Sequence, residues 1–398
     1  MPNERPENEL LLRLARPVFN VAWAERVGDL VRGDLDWDYL IALADRHGVI
    51  PLFVHNLNSV STELVPLQVL SKLRDYNQEN TRQSLLLTAE LLRLMELLKA
   101  NGIQAVPFKG PTLAMRAYGD VALREFSDLD LLVRTEDVSK VRKLLVGEGF
   151  KPNPELSGTQ EAALIRFDCA YNFSNQKKVM FDVHWKFAAP HSFALETNGL
   201  WDRLETLTIG GKQLPTLSVE DLLQVICLHG LTHFWERLGW ICDVAGLVEL
   251  QKDIDWDSVI DSTARQGSRR VLSLGLVLAA ELLEASVPPE VLQIAQNDTV
   301  VSALAEDLKR RLFADEPSAS GIIDGALLQL RMRERKRDRI GVGLRLAATP
   351  RVYDWMLIPL PKWLFFLYYL LRPLRLAGKY GMKLLSGSRP AKNEVMNR

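Results

Sequence analysis

Two aspartates one residue apart, Asp128 and Asp130, head the apolar run Leu129-Asp130-Leu131-Leu132-Val133. A third, Asp182, opens Asp182-Val183-His184-Trp185 after another strand-like run. Side chains at i and i+2 of a strand share a face, with Cα atoms about 6.6 Å apart. Carboxylates delivered from neighbouring strands at such separations can converge on two divalent cations about 3.5–4 Å from each other, the arrangement used in phosphoryl and nucleotidyl transfer. An Asp-Leu-Asp triplet alone is common in proteins, so its meaning depends on what surrounds it.

Upstream, Phe108-Lys109-Gly110-Pro111 reads as a strand end running into a turn and helix. A glycine there lets the backbone approach a phosphate, and a helix N-terminus adds amide donors and a favourable dipole. Lys109 suits a triphosphate as a point charge; the competing account is an ordinary Gly-Pro turn with an exposed lysine. Neither G-x-x-x-x-G-K-[ST] nor G-x-G-x-x-G occurs, so P-loop and Rossmann readings have no support. Arg124 and Ser127 flank the acids and suit phosphate oxygens, although a surface ion pair accounts equally well for Arg124. His184 and Trp185 follow the third acid; one of them could orient a metal-bound carboxylate or stack on a base, against core packing at a strand end. His229 and His233 lie four apart with Glu236 near, a zinc-compatible spacing, yet no glutamate follows the first histidine as in H-E-x-x-H. Histidines satisfied within a helix near the cleft are the simpler reading.

The elements that must position these residues fall into four stretches. Residues 1–100 read as helical: Leu10 to Leu14 and Tyr39 to Ala44 are apolar clusters, and Asp36-Trp37-Asp38 is a capped helix start. Leu87, Leu91, Leu94, Met95 and Leu98 make one stripe of a long helix over 67–100, which Asn101-Gly102 stops. Residues 101–215 change character. Ile103 to Phe108 reads as a strand, Thr112 to Tyr118 as a helix, Leu129 to Val133 as a strand and Thr135 to Gly147 as a helix. Phe167–Phe173 and Val179–Val183 read as an antiparallel pair. Residues 216–345 are helical again, with Asp255-Trp256-Asp257 echoing the cap at Asp36, and 346–398 form an apolar and basic C-terminal segment. The expected class is α+β: a small mixed sheet with helices, flanked by N-terminal and C-terminal helical regions.

The 398 residues are 47% hydrophobic and 25% charged with net charge −1, which argues against global attraction to nucleic acid; no specific nucleic-acid binding is expected. The basic run Arg331 to Arg339 lacks interleaved aromatics and reads as a solvated helix face. Cys169, Cys227 and Cys242 form no C-x-x-C pair, and the polar, acidic N-terminus lacks the order of a secretory signal, so a cytoplasmic protein is expected. The sequons at Asn172 and Asn297 are then accidental. Near the C-terminus, Trp363 to Leu371 is an uninterrupted apolar run of nine residues, short of the roughly 20 that span a bilayer. Aromatics beside Arg372, Arg375, Lys379 and Lys383 suit peripheral contact with the inner face of a membrane through 355–385; a helix docked on the body is the alternative.

Lys109-Gly110, Tyr118, Arg124, Asp128-Leu129-Asp130-Leu131-Leu132-Val133 and Asp182-Val183-His184-Trp185 together resemble the uncharacterised bacterial nucleotidyltransferases of the DNA polymerase β superfamily. His229-Gly230, Trp235-Glu236-Arg237-Leu238, Trp240-Ile241-Cys242-Asp243 and Asp255-Trp256-Asp257 are similar to that family's helical part, so the resemblance covers most of residues 30–285. It implies transfer of a nucleoside monophosphate from an NTP, ATP first among them, to an unknown hydroxyl acceptor. It also implies two Mg2+ ions, with Mn2+ as a substitute, held by Asp128, Asp130 and Asp182, and a nucleotide contacted by Lys109, Gly110, Arg124, Ser127 and His184. The superfamily carries Gly-Gly or Gly-Ser in the phosphate turn; Gly110-Pro111 lacks one amide donor. A catalytically weak or inactive nucleotide-binding or assembly module is the alternative, and transfer of another phosphoryl group to a protein a third.

Overall fold

Around the acids, apolar and polar residues alternate in the way only a two-faced sheet satisfies. In the computed structural model, which describes residues 5–60, 63–188, 193, 195, 199–314, 322–335, 339, 341 and 348–385, that alternation becomes a mixed five-stranded sheet. Its strands are β1 (Ala105–Pro107), β2 (Asp128–Val133), β3 (Lys151–Asn153), β4 (Ala170–Ser174) and β5 (Met180–His184), in spatial order β1-β2-β5-β4-β3. β2 and β5 run parallel; the other neighbours are antiparallel.

One sheet face is apolar throughout. Leu129, Leu131 and Val133 of β2, Phe181 and Val183 of β5, and Tyr171 and Phe173 of β4 point into a core. Beneath them pack α5 (Leu67–Ala100), α7 (Val138–Gly147) and α8 (Gly158–Phe167). The opposite face carries Asp128, Asp130, Asp182 and His184 at the alternate positions. Trp185, 3% exposed, belongs to the apolar core, which settles it as a packing residue.

A second core unites helices from both ends of the chain. The N-terminal α1 (Pro6–Leu14), α2 (Ala24–Arg32), α3 (Trp37–His47) and α4 (Ile50–Val60) pack with α9 (Val219–Thr232), α10 (Leu238–Leu250), α11 (Trp256–Gln266), α12 (Arg269–Leu283), α13 (Pro289–Gln296) and α14 (Thr299–Leu312). Arg16 pairs with Glu284 at 2.7 Å, and the Cys242 thiol donates to the Ala15 carbonyl at 3.0 Å. The 34-residue α5 bridges the cores: Leu70 and Leu73 lie in this one, and the stripe from Leu87 to Leu98 in the sheet's. Asp36 and Asp255 both cap helices, each accepting an amide at 2.9 Å.

Three elements depart from the sequence reading. Phe167 ends α8 rather than opening β4; a Ser157/Gln160 capping box starts that helix, so the signal was present in Ser-x-x-Gln. The edge strand β3 is too short to show a period. A separate hairpin, β6 (Glu205–Ile209) and β7 (Lys212–Thr216), closes through Gly210-Gly211, the dipeptide a two-residue hairpin turn favours. The basic run also differs: α15 (Ile322–Met332) ends as the run begins, and Arg333 is buried over the Phe193 ring at 3.6 Å because its planar cation stacks well. Residues 336–338 of the run lie outside the described residues.

The acid-bearing face meets the helical body through α6 (Pro111–Tyr118) and α10. These helices approach so closely that a Cβ on Gly246 would stand 2.2 Å from the Ala117 carbonyl oxygen. Gly246→Ala is therefore expected to cost at least the upper part of the roughly 1–3 kcal/mol typical of overpacking. A lowered urea midpoint with an unchanged m-value is the check.

Candidate active site

Parallel pairing of β2 with β5 sets Asp130 directly opposite Asp182 and Leu132 opposite His184. Adjacent strands lie only about 4.8 Å apart, whereas i and i+2 on one strand are about 6.6 Å apart. Asp130 and Asp182 are accordingly neighbours across strands. Asp130, Asp182 and His184 offer ligand atoms all within 4.8 Å of one another, and Asp128 stands outside that cluster, half-buried at the start of β2. His184 thus joins the grouping expected of three aspartates.

Asp130 is the centre. Its Oδ1 accepts from Lys109 Nζ at 2.9 Å and lies 3.0 Å from His184 Nε2. His184 Nδ1 is buried with no hydrogen-bond partner among the described residues, and its ring meets Phe108 edge-on at 5.2 Å. Asn172 on β4, paired with Asp182 in register, donates to Asp182 Oδ1 at 2.7 Å. Burial pushes the Asp130 carboxyl up, but Lys109 and His184 together outweigh it and hold it well below the usual carboxylate range. Burial and then the neighbouring Asp130 charge push Asp182 up to about 6, and the same two causes raise Asp128. Two carboxyls kept from ionising freely beside a third that is anionic form an oxygen donor set suited to a hard divalent cation. The residues present fit the cations that the acids imply.

Gly110 adopts φ +53°, and a Cβ there would sit 3.2 Å from the Asp128 carbonyl oxygen, so the turn needs glycine on both counts. Pro111 takes the first turn of α6, where a helix has no use for its amide, and the Thr112 hydroxyl donates to the Lys109 carbonyl at 2.8 Å. Ser127 is exposed beside Asp128.

Arg124 has a partner the sequence reading did not find. Its Nε and Nη2 donate to the two oxygens of Asp243 on α10 at 2.8 and 3.0 Å, and the Tyr118 hydroxyl donates to Asp243 Oδ1 at 2.9 Å. The cation expected on phosphate is tied to α10, a clamp between the approach to β2 and the helical body. From sequence, Asp243 stands only within a motif of resemblance and Asn172 only within a sequon; an acid inside the apolar helix Leu238–Leu250 is the signal that calls for a partner.

The α9–α10 connection brings aromatics to this side. His229, His233 and Trp240 form a ring cluster with centroids 4.5, 5.5 and 5.2 Å apart. Burial first, and then the Lys109 and His233 charges, hold His229 well below its usual value. These histidines join no metal-ligating group of three among the described residues, so the zinc alternative gains nothing. Trp240 also lines a cavity of about 40 Å³ with Tyr118, Arg124, Glu125, Arg237 and His47.

His47 supplies a pH dependence. Its Nδ1 accepts from the Leu238 amide at 3.1 Å, so Nε2 carries the proton toward the Leu312 carbonyl at 3.1 Å. Burial, then Arg46, depress it from 6.5 to about 3. A depressed histidine contributes stability that is present above 6.5 and lost as pH falls toward 3. Relative to His47→Gln, the native protein is expected to lose about 2 kcal/mol between pH 7 and 5, read from paired urea titrations. Glu125, pushed up to about 7 by burial and then by Asp45, works oppositely in both proteins and cancels in that comparison.

Residues 33–284 match a family described as uncharacterised nucleotidyltransferases. A solved structure, that of an antigenic nucleotidyltransferase-like protein from Paracoccidioides brasiliensis, is similar over 52% of this chain and 95% of that one at 16% identity. Its TM-score of 0.30 leaves the fold to be argued from the strands and helices above. No curated protein matches the chain significantly. The family match spans well over half of the sequence, from α3 through the acid-bearing sheet to α12, and on that ground the protein belongs to the uncharacterised nucleotidyltransferase family.

Proposed function

We propose that this protein is a polymerase-β-like enzyme that moves a nucleoside monophosphate from an NTP, ATP first among them, to a hydroxyl acceptor. The observation that supports this most is the Asp130–Asp182–His184 cluster on the polar face of the sheet, with Lys109 and the Gly110 turn beside it. Asp128 and Asp130 would hold two Mg2+ ions, or Mn2+, with Asp182 completing the set. When bound, these cations neutralise triphosphate charge and make the acceptor hydroxyl easier to ionise.

The chain's own groups do the rest. The acceptor oxygen attacks the α-phosphorus, the bond to the bridging oxygen breaks, and pyrophosphate leaves in line. Asp182, whose carboxyl sits near 6, takes the acceptor's proton. Lys109 exchanges Asp130 Oδ1 for a phosphate oxygen, and Ser127 and the Gly110 turn hold further oxygens. Arg124 keeps its fork on Asp243 and adds positive charge beside Asp128. His184 positions Asp130, and Asn172 positions Asp182.

The wall opposite is helical. His229, His233 and Trp240 present flat faces for a base or acceptor, so Trp240→Ala is expected to raise KM by about tenfold with little change in kcat, measured by initial rates. Within this reading, 101–215 is the catalytic core, with the second half of α5 packed beneath its sheet; the rest of 1–100 and 216–345 supply the helical wall, and 346–398 is a C-terminal segment that docks on the sheet's core. A cytoplasmic location is part of the proposal, supported by three cysteines without disulfides.

Each α-labelled NTP, incubated with magnesium or manganese and a metabolite pool, tests the reading. Transfer of label that Asp130→Asn abolishes is the expected result. Magnesium-dependent NTP binding without any transfer would favour the inactive module instead, a reading to which the missing amide at Pro111 lends its only support. Neither binding nor transfer would overturn both.

A further inference from the structure

We propose that the C-terminal segment seats the protein on an anionic lipid surface through an apolar face that the fold leaves exposed. The segment comprises α16 (Val352–Leu357), a 3-10 turn over Lys362–Leu367 and α17 (Tyr368–Leu385). One side of it is docked. Trp355, Phe365 and Tyr368 are buried in the sheet's core, with Phe365 and Tyr368 packed on Phe167 of α8 at 6.0 and 6.3 Å between centroids. The Tyr368 hydroxyl donates to the Ile358 carbonyl at 2.6 Å, and Arg372 pairs with buried Asp354 at 2.8 Å. Those contacts fix which side faces out.

The outward side is apolar where a surface helix is ordinarily polar. Trp363 is 75% exposed, Phe366 57%, Leu370 63% and Leu374 71%. They lie three, four and four residues apart, which makes one stripe along the segment, and Leu357, in the preceding helix, is a further apolar side chain at 69% exposure. Single exposed apolar residues are ordinary; a contiguous stripe of large ones marks a surface that something covers.

Charge identifies the occupant. From 352 to 393 the sequence has seven lysines and arginines against one acid, Asp354, which pairs with Arg372 and Arg375 and leaves Lys362, Lys379, Lys383, Arg389 and Lys392 in excess, whereas the whole chain carries net charge −1. A second copy of this face would bring like charges together. An anionic bilayer offers both an apolar layer for the stripe and negative headgroups for its flanks. Trp363 has the amphipathic ring that settles at headgroup depth. No helix among the described residues is long and apolar enough to cross a membrane, so the segment would lie in the interface rather than span it. This inference is independent of the transfer reading.

The test uses the full chain, because deleting 351–398 would strip Trp355, Phe365 and Tyr368 from the core. Phosphatidylcholine vesicles with and without phosphatidylglycerol are pelleted with the native protein and with Leu370→Glu/Leu374→Glu. The native protein is expected to partition at least about tenfold more onto the anionic vesicles, the double variant to lose about that factor, and about 0.5 M salt to weaken binding. A blue shift of emission on vesicle addition, diminished in Trp363→Phe, should accompany it. Equal pelleting of native and variant protein, with unchanged thermal melts, would overturn the proposal. So would a native dimer by light scattering that the double variant dissolves without any vesicle binding, which assigns the face to a second copy.

Discussion

Asp130→Asn is expected to abolish label transfer and, with it, the thermal stabilisation that magnesium or manganese confers on the native protein. The side chain is 2% exposed and lies at the meeting point of Lys109, His184 and, across the strands, Asp182. Its replacement keeps the shape but removes the one carboxylate held firmly anionic in the site. Disturbing a partner that merely orients a metal ligand costs about 10–100-fold in metal affinity or activity, so losing the central ligand should exceed about 100-fold in single-turnover rate. A metal present at 100 times its dissociation constant stabilises by about 2.7 kcal/mol, and that increment should vanish in the variant. Without metal the variant should also be less stable, because Lys109, 13% exposed in its side chain, loses its carboxylate partner; the metal-dependent increment is therefore the readout rather than the melt of the metal-free protein. A variant that kept both the metal-dependent melt and the turnover would remove Asp130 from the metal site and the proposal with it.

The second large effect lies at the clamp. Arg124 and Asp243 are 11% and 4% exposed in their side chains and are joined by two hydrogen bonds, with Tyr118 donating a third. Removing either charge leaves the other buried and unpaired, which typically costs about 3–5 kcal/mol. Arg124→Met and Asp243→Leu are each expected to lower stability by that order, and the double variant by markedly less than their sum. Recovery should be incomplete, since Asp243→Leu also strands the Tyr118 hydroxyl, at about 1–3 kcal/mol; adding Tyr118→Phe should restore part of it. Urea midpoints measure the cycle. Additive losses would mean that Arg124 is held by something other than Asp243.

The clamp has a functional consequence. α10 carries both Asp243 and Trp240, and the same helix presses on α6, whose first residue follows the Gly110 turn. A cation that the sequence suggested for phosphate is also what registers the helical wall against the acids. Under the proposed mechanism, Arg124 variants should lose kcat even where they remain folded, a readout a purely structural tie would leave unmoved.

Local chemistry was legible at several places. The Asp36 and Asp255 caps, the stripe of α5, and β2 and β5 all follow from spacing and residue type, because each depends on neighbours within one turn or one pleat. The α8 capping box and the Gly210-Gly211 turn were equally local, and were overlooked rather than hidden. His184 is expected from sequence at the nucleotide, with core packing the alternative weighed for the His184-Trp185 pair. The structure gave Trp185 to the core and His184 to Asp130, since consecutive strand residues must face opposite sides.

What the sequence by itself determined were the acids, the polar alternation that brings Asp128, Asp130 and Asp182 to one face, and the apolar C-terminal stripe. Those are properties of short windows with fixed periods. Only the tertiary structure decided that Asp182 stands directly opposite Asp130 and that His184 joins them, because strand register is a long-range pairing. It alone matched Arg124 with Asp243, 119 residues away, and turned one side of the C-terminal helix to Phe167 and the other outward. A buried charge must find a partner, but nothing local says where in the chain that partner will be.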